Sequence, residues 1–248
     1  MSSSPEAGRS GIQVIRRAAG ILGAVGARNG ALRLADLDDV VGLAKTTTHR
    51  IVNALAEERL LRIDADGRIW LGSALSALAG AAATGLVDEL RPTIKELQQA
   101  VDETVDLSVL EGNAARFVDQ VQSTQALRAV SAVGAAFPLH CTANGKAFLA
   151  ALPDEAAERL LPSRLEGLTP ATITSKERLL AELVSVRETG MAFDREEHTT
   201  GIAAIGAVVT RDGVPVAAIS MPVPAERFAE REAHLAERLR AACQAAST

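Results

Sequence analysis

The chain has 248 residues, 48% hydrophobic and 23% charged, a globular balance long enough for two modest domains that each bury a core. No uninterrupted apolar run reaches the roughly 18–20 residues that cross a bilayer, and the polar start, Met1 to Arg9, lacks the apolar centre of a signal peptide. Tyr is absent and Trp70 is the only Trp, which leaves no aromatic platform for unpaired bases.

A cytoplasmic protein with reduced thiols is therefore expected. Cys141 and Cys243 stand far apart and match no metal-ligand spacing, so neither a metal nor a cofactor is expected. The net charge of −5 is uneven. Residues 1–72 hold ten basic and eight acidic residues, a net +2, and the remainder holds sixteen against twenty-three, a net −7. A slightly basic head on an acidic body suits a protein that meets DNA at one end only.

In chain order, a Ser-rich tail gives way at Ile12 to a stripe of Ile12, Ile15, Ala18, Ala19, Leu22 and Val25 at helical spacing. Arg28-Asn29-Gly30 stops it. Leu34, Leu37 and Val41 make a second, short stripe, and Gly42 permits a tight turn into the stretch Lys45 to Leu55. There Thr48, Ile51, Val52 and Leu55 share one helical face, while Lys45, Thr46, Thr47, His49, Arg50 and Asn53 form the other, with no acidic residue among them. Two helices joined by a Gly-containing turn are a helix-turn-helix. Such a polar second helix supplies cations for phosphates and short polar groups for base edges.

Two β-prone runs flank Asp66-Gly67, a hairpin signal, and would form the wing of a winged helix-turn-helix. Arg62 and Arg68 near its tip either reach phosphate or a minor groove, or simply solubilise the hairpin; Trp70 is expected in the core beneath it. Ser73 to Leu86 is Ala-rich and is read as a linker helix whose small residues suit packing against a second copy. Pro92 is expected to start a further helix through Ile94, Leu97 and Val101.

The remainder alternates strands and helices. Thr104 to Leu110 and Arg116 to Val121 form one hairpin, with Leu127 to Val130 as an added strand. Thr174 to Glu177 caps a helix that Gly190 ends. Ala203–Val209 and Val214–Met221 flank an Asp212-Gly213 turn, and Ala225 to Ala246 closes the chain as an amphipathic helix. The pattern is that of an α+β sensory domain around one sheet.

Three stretches together resemble the IclR family of bacterial transcription regulators: Gly42 to Arg50 with Leu71-Gly72, then Pro138 to Ala150, then Gly190 to His198 followed by Gly201-Ile202 and Ala217 to Ser220. The resemblance runs from Ile12 over nearly the whole chain. It implies a mixed α/β (α+β) protein with an N-terminal winged helix-turn-helix, a linker helix and a C-terminal GAF-like effector-binding domain. The expected partition is a disordered tail 1–11, a DNA-binding head 12–72, a linker helix 73–88 and an effector domain 89–248. It further implies a ligand-responsive regulator of a catabolic or metabolic operon, expected to repress. Its partners would be double-stranded operator DNA, a small organic or aromatic acid and a second copy of itself, as a dimer or dimer of dimers, with no membrane.

In members similar to those answering glyoxylate and pyruvate, the effector meets a helix N-terminus, an Asp, a Cys and two Ser. Here the backbone at Ala143 and Asn144 would open the helix and attract an anion. Asp194 and Ser220 match the Asp and one Ser, while Ala204 replaces the Cys and Pro222 the second Ser. Fewer polar groups favour a larger, partly apolar acid, with Ile202, Phe193 and Leu139 as candidate walls.

His140-Cys141 invites a rival reading, an enzyme with Cys141 as nucleophile and the head as an interaction module. Adjacent residues on an extended segment point apart, which argues against a working pair. No residue is therefore expected to be catalytic. A non-specific architectural DNA binder is disfavoured by the acidic body.

Overall fold

The computed structural model describes residues 6–28 and 32–247, and the chain divides into two compact units at Ala82/Ala83. The first unit contains α1 (Glu6–Arg28), α2 (Leu34–Val41), α3 (Lys45–Glu57), β1 (Leu61–Ile63) and β2 (Ile69–Leu71). One core joins Ile21 and Val25 of α1 to Leu37, Ile51, Val52, Leu55, Leu61 and Ile69. Of the stripe expected on α1, Val25 is buried and Ala18 and Leu22 partly so, whereas Ile15 and Ala19 face outward and Ile21, outside that stripe, is fully buried. The buried face of α3 is Thr48, Ile51, Val52 and Leu55, as its spacing requires. Gly42 ends α2 at φ 62°, in the left-handed region that favours glycine, and donates its N–H to the Asp38 carbonyl.

β1 and β2 pair antiparallel, Leu61 with Leu71 and Ile63 with Ile69. Asp64 organises their turn. Its carboxylate accepts from the N–H groups of Asp66 (3.0 Å) and Arg68 (2.9 Å) and from the Trp70 indole (2.8 Å). Trp70 is thus half-buried on the wing rather than beneath it, because its polar N–H reaches a partner only at the turn. Gly72 closes the wing, where a Cβ would stand 2.0 Å from the Arg59 carbonyl oxygen.

Several sequence expectations shift. α1 already runs from Glu6, so part of the expected tail is helix; Met1–Pro5 and the stop at Asn29-Gly30 lie outside the described residues. The linker helix does not end at 88. α4 (Ser73–Val101) continues through Pro92, whose missing N–H forfeits one hydrogen bond while Leu90, Ile94, Leu97 and Val101 hold the flanking turns in the core.

The second unit is built on a six-stranded antiparallel sheet in the order β5-β4-β3-β8-β7-β6. Its strands are β3 (Val105–Glu111), β4 (Ala114–Val121), β5 (Ala136–Pro138), β6 (Ala192–Arg195), β7 (Ile202–Arg211) and β8 (Val214–Pro224). Leu127 to Val130 is not a strand; β5 supplies the third member of that ladder, pairing Ala115 with Phe137.

Alternation assigns the faces. Ile205, Ala207, Val209, Ala217, Ile219 and Met221 pack under α4 and α8 (Ala225–Ala246). On the opposite face lie α5 (Ala143–Ala151), α6 (Asp154–Leu160) and α7 (Lys176–Thr189), packed around Ala115, Ala192 and Ala218. Ser175, rather than Thr174, caps α7, accepting the Arg178 N–H. The result is three layers, with α5 wholly buried against the sheet through Ala143 to Ala150.

Candidate DNA-reading helix and effector cavity

On α3, Lys45, Thr46, Arg50 and Asn53 are exposed, and Thr47 is half-buried. Among the described residues Lys45, Arg50 and Asn53 make no side-chain hydrogen bond or ion pair, so their donors remain available. His49 departs from the sequence reading. It is half-buried, and its Nε2 is enclosed without a partner, so that nitrogen is not presented to solvent. On the wing, the Arg62 guanidinium lies 5.5 Å from the centre of the Trp70 ring, a cation–π contact, while the Arg68 side chain is exposed.

In the second unit a cavity of about 330 Å³ opens where α5 meets the sheet. Thr142 caps α5: its hydroxyl accepts the Gly145 N–H at 3.2 Å and its carbonyl accepts that of Lys146. The N–H groups of Ala143 and Asn144 have no acceptor within the helix, and both residues line the cavity. Asn144 is itself positioned by a 2.6 Å hydrogen bond from its Nδ2 to Ser108 Oγ on β3. The close approach of helix to sheet requires Gly206 of β7.

All six residues expected around an effector, Ala143, Asn144, Asp194, Ile202, Ala204 and Ser220, line this one cavity, with Pro222 beside them. Asp194 Oδ1 accepts the N–H groups of Glu197 (2.7 Å) and His198 (3.3 Å). Burial nevertheless pushes its carboxyl up to about 7, outweighing those hydrogen bonds. Ser220 is buried, and its hydroxyl makes no hydrogen bond among the described residues. Two suggested walls do not belong. Leu139 lies in the α5–α7 core. Phe193 alternates with Asp194 on β6, so it points to the other face and packs on Phe228.

Sequence reasoning missed much of the rest of the cavity lining: Asp106, Phe117, Phe137, Ser131, Arg128 and His198. Asp106 Oδ1 accepts from Gln120 at 2.7 Å and Oδ2 from the Ser131 hydroxyl at 2.6 Å, and burial pushes its carboxyl up to about 6. Phe137 meets Phe117 edge-on, centroids 4.8 Å apart, and stacks on His198 at 4.4 Å. Burial lowers the pKa of His198 and favours its neutral ring. The signal was present as polar residues in a strand otherwise fit for a core, Asp106 and Ser108.

Behind the cavity, Lys146 is fully buried and its ammonium is shared by Glu197 (2.6 Å) and Glu182, a pairing that offsets the cost of burying the charge. Cys141 is also buried, and its thiol is pushed up to about 12, by burial first and then by the negative charges of Asp194 and Glu197. His140 is engaged elsewhere, its Nε2 2.8 Å from the Glu166 carbonyl. A thiol held protonated beside an occupied imidazole is no nucleophile. Among the described residues no group of three His, Cys, Asp or Glu is arranged to hold a metal, and no helix is long and apolar enough to cross a membrane.

A winged helix-turn-helix joined to a cavity-bearing α+β domain defines a ligand-responsive, DNA-binding regulator of transcription. Known proteins agree with that class. Residues 14–65 match the IclR helix-turn-helix domain, and residues 79–248 match the bacterial transcriptional regulator IclR C-terminal domain. The chain belongs to the IclR family of bacterial transcriptional regulators.

It is 50% identical over 238 residues to the HTH-type transcriptional regulator Rv1719 of Mycobacterium tuberculosis, covering 95% of this chain and 92% of that protein. It is 30% identical over 237 residues to the transcriptional repressor IclR of Escherichia coli, covering 93% and 86%. Among solved structures, it is similar to an IclR homolog from Microbacterium hydrocarbonoxydans complexed with 4-hydroxybenzoate, with 26% identity, a TM-score of 0.61 and coverage of 93% and 95%. These relatives are regulators, and the enzymatic reading of Cys141 is set aside.

Proposed function

We propose that this chain is a cytoplasmic repressor that leaves its operator when a small organic or aromatic acid occupies the cavity under α5. The observation that carries the reading is the N-terminus of α5, whose first two residues, Ala143 and Asn144, line a cavity that also holds Asp194 and Ser220. A helix N-terminus favours an anion. The apolar surroundings of Ile202, Ala204 and Pro222 favour an acid with a sizeable carbon frame. The 4-hydroxybenzoate held by the Microbacterium homolog is a ligand of that class.

On the DNA side, Thr46, Thr47 and Arg50 face base edges, with Asn53 and the exposed part of His49 at the margin and Lys45 on phosphate. Arg62 and Arg68 extend the contact along the backbone. The protein acts as a homodimer or a dimer of dimers, and the exposed, Ala-rich start of α4, with Leu78 outward, supports pairing of two copies there. The functional division is a head over 12–72, a linker over 73–88 and an effector domain over 89–248. The acid acts only through unequal affinity for the operator-bound and released arrangements.

The test is a footprint of the full-length protein on the DNA upstream of its own gene, over a salt series and with candidate acids. A discrete protected site that an acid abolishes is the expected result. Diffuse binding that disappears with salt would leave only phosphate attraction and would overturn the proposal.

A further inference from the structure

The register of the sheet fixes the polar poles of the cavity. Asp106 on β3 stands opposite Ser220 on β8, Ser220 opposite Gly206 on β7, and Asp194 on β6 opposite Ala204 of the same β7. The two carboxyls therefore start from strands three spacings apart, about 14 Å across the sheet, and α5 begins between them over Gly206. An anion at the α5 N-terminus leaves the Asp106 side of the cavity to the rest of the ligand. That side carries the Phe117 ring beside Phe137. His198, whose backbone N–H reaches Asp194 at the other pole, stacks on Phe137 and so continues the row between the two.

The fold does not require a carboxyl at 106. Its two partners, the Gln120 amide and the Ser131 hydroxyl, are neutral donors, and no cation among the described residues pairs with it. An uncharged acceptor would satisfy both partners without the cost of burying an ionisable group. Each carboxyl oxygen accepts from one of these donors, and a donor entering from the cavity can take the place of the more weakly held one. Ser131 is the exchangeable partner, because it sits on the segment between β4 and β5, which has no regular structure.

We propose that Asp106 is the specificity-determining residue of this cavity: it accepts a hydrogen bond from a hydroxyl or amino group on a ring-bearing acid, in the position the Ser131 hydroxyl occupies. The inference rests on the reading of the cavity as the effector site. The acid's carboxylate meets Ala143 and Asn144, its ring lies along Phe117, Phe137 and His198, and its donor reaches Asp106. A ring without that donor leaves the carboxyl to Ser131, and the site rejects it.

The experiment is titration calorimetry on the full-length protein with benzoate, 4-hydroxybenzoate and 4-aminobenzoate. Wild type is expected to bind the two substituted acids at least about tenfold more tightly than benzoate, the size of one hydrogen bond to a buried polar group. Ser131→Ala removes the competitor and is expected to tighten both by about threefold, leaving benzoate unchanged. Asp106→Leu, close in volume, is expected to erase the preference. Equal affinity for all three acids in wild type, a preference that neither variant changes, or binding of none of the three would each overturn the inference. The effector reading is judged separately. If some other acid releases the operator and Asn144→Leu abolishes that release, the cavity remains the effector site and only the role of Asp106 falls.

Discussion

Gly206 of β7 lies beneath Ala143, the first residue of α5: a Cβ at 206 would stand 2.8 Å from the Ala143 carbonyl carbon and 3.0 Å from its oxygen. Both atoms are backbone, so no rotamer change relieves the contact. Gly206→Ala must lift the helix start, whose residues Ala143 and Asn144 line the cavity. Overpacking of this kind costs about 1–3 kcal/mol. A lower urea midpoint and weakened acid binding are expected together. A variant with wild-type values for both would show that α5 tolerates displacement.

Arg50 is exposed on α3 and free of partners within the described residues, so Arg50→Ala should leave the head folded. Operator affinity is expected to fall about tenfold or more, with the salt dependence shallower by about one charge if the contact is to phosphate. Calorimetric affinity for the acid should not change. Quantitative footprinting decides the point, and full-strength protection by the variant would remove α3 as the reading helix.

Asp194 and Asp106 carry a pH signature. Both are pushed up, to about 7 and about 6, chiefly by burial, whereas in an unfolded chain such groups ionise near pH 4. Between those values the folded protein binds more protons than the unfolded one. Their contribution to stability is therefore complete below about pH 4 and is lost as pH rises through about 6 and about 7. Each carboxyl accounts for about 1.4 kcal/mol per pH unit within that window. Asp194→Asn removes its share. In urea titrations from pH 4 to pH 8, wild type should lose stability relative to the variant, with most of the divergence complete by about pH 7. Parallel curves would mean that Asp194 ionises normally.

Cys141 and Cys243 are both buried with thiols pushed up to about 12. Neither should react with iodoacetamide at pH 8 in the native protein, and both should react promptly in urea, since the thiolate is the attacking species. Cys141→Ser should keep operator and acid affinities near wild type. Rapid native labelling of Cys141 would contradict its enclosure.

Legibility from sequence followed the range of the interaction. The inner face of α3 follows from a local period, and Thr48, Ile51, Val52 and Leu55 are buried as that period demands. The α5 side of the cavity came from resemblance, which carried Asp194, Ala204 and Ser220 to one place. Asp106, Phe117 and Phe137 come together only through strand order, because β3, β4 and β5 meet by register rather than by any periodic signal. Phe193 and Asp194 are neighbours on one strand, so alternation alone excludes the two from a single cavity. Pro92 signals a helix start by its chemistry, but the packing of Leu90 and Ile94 on either side overrides it. Asp64 reads as one acid among several until its three donors are seen to converge.

The cavity draws its walls from β3 at one side and β6 at the other, with α5 between, so an occupant adds a further tie across them beside the Asn144–Ser108 hydrogen bond and the Phe137–His198 stack. Occupancy should therefore appear as heat resistance of the effector domain, worth about 2.7 kcal/mol at a hundredfold excess over the dissociation constant. An effector can then be sought by melting the protein against a library of acids, before any operator or target gene is known. The physiological signal would be identified by what it holds together rather than by what it switches off.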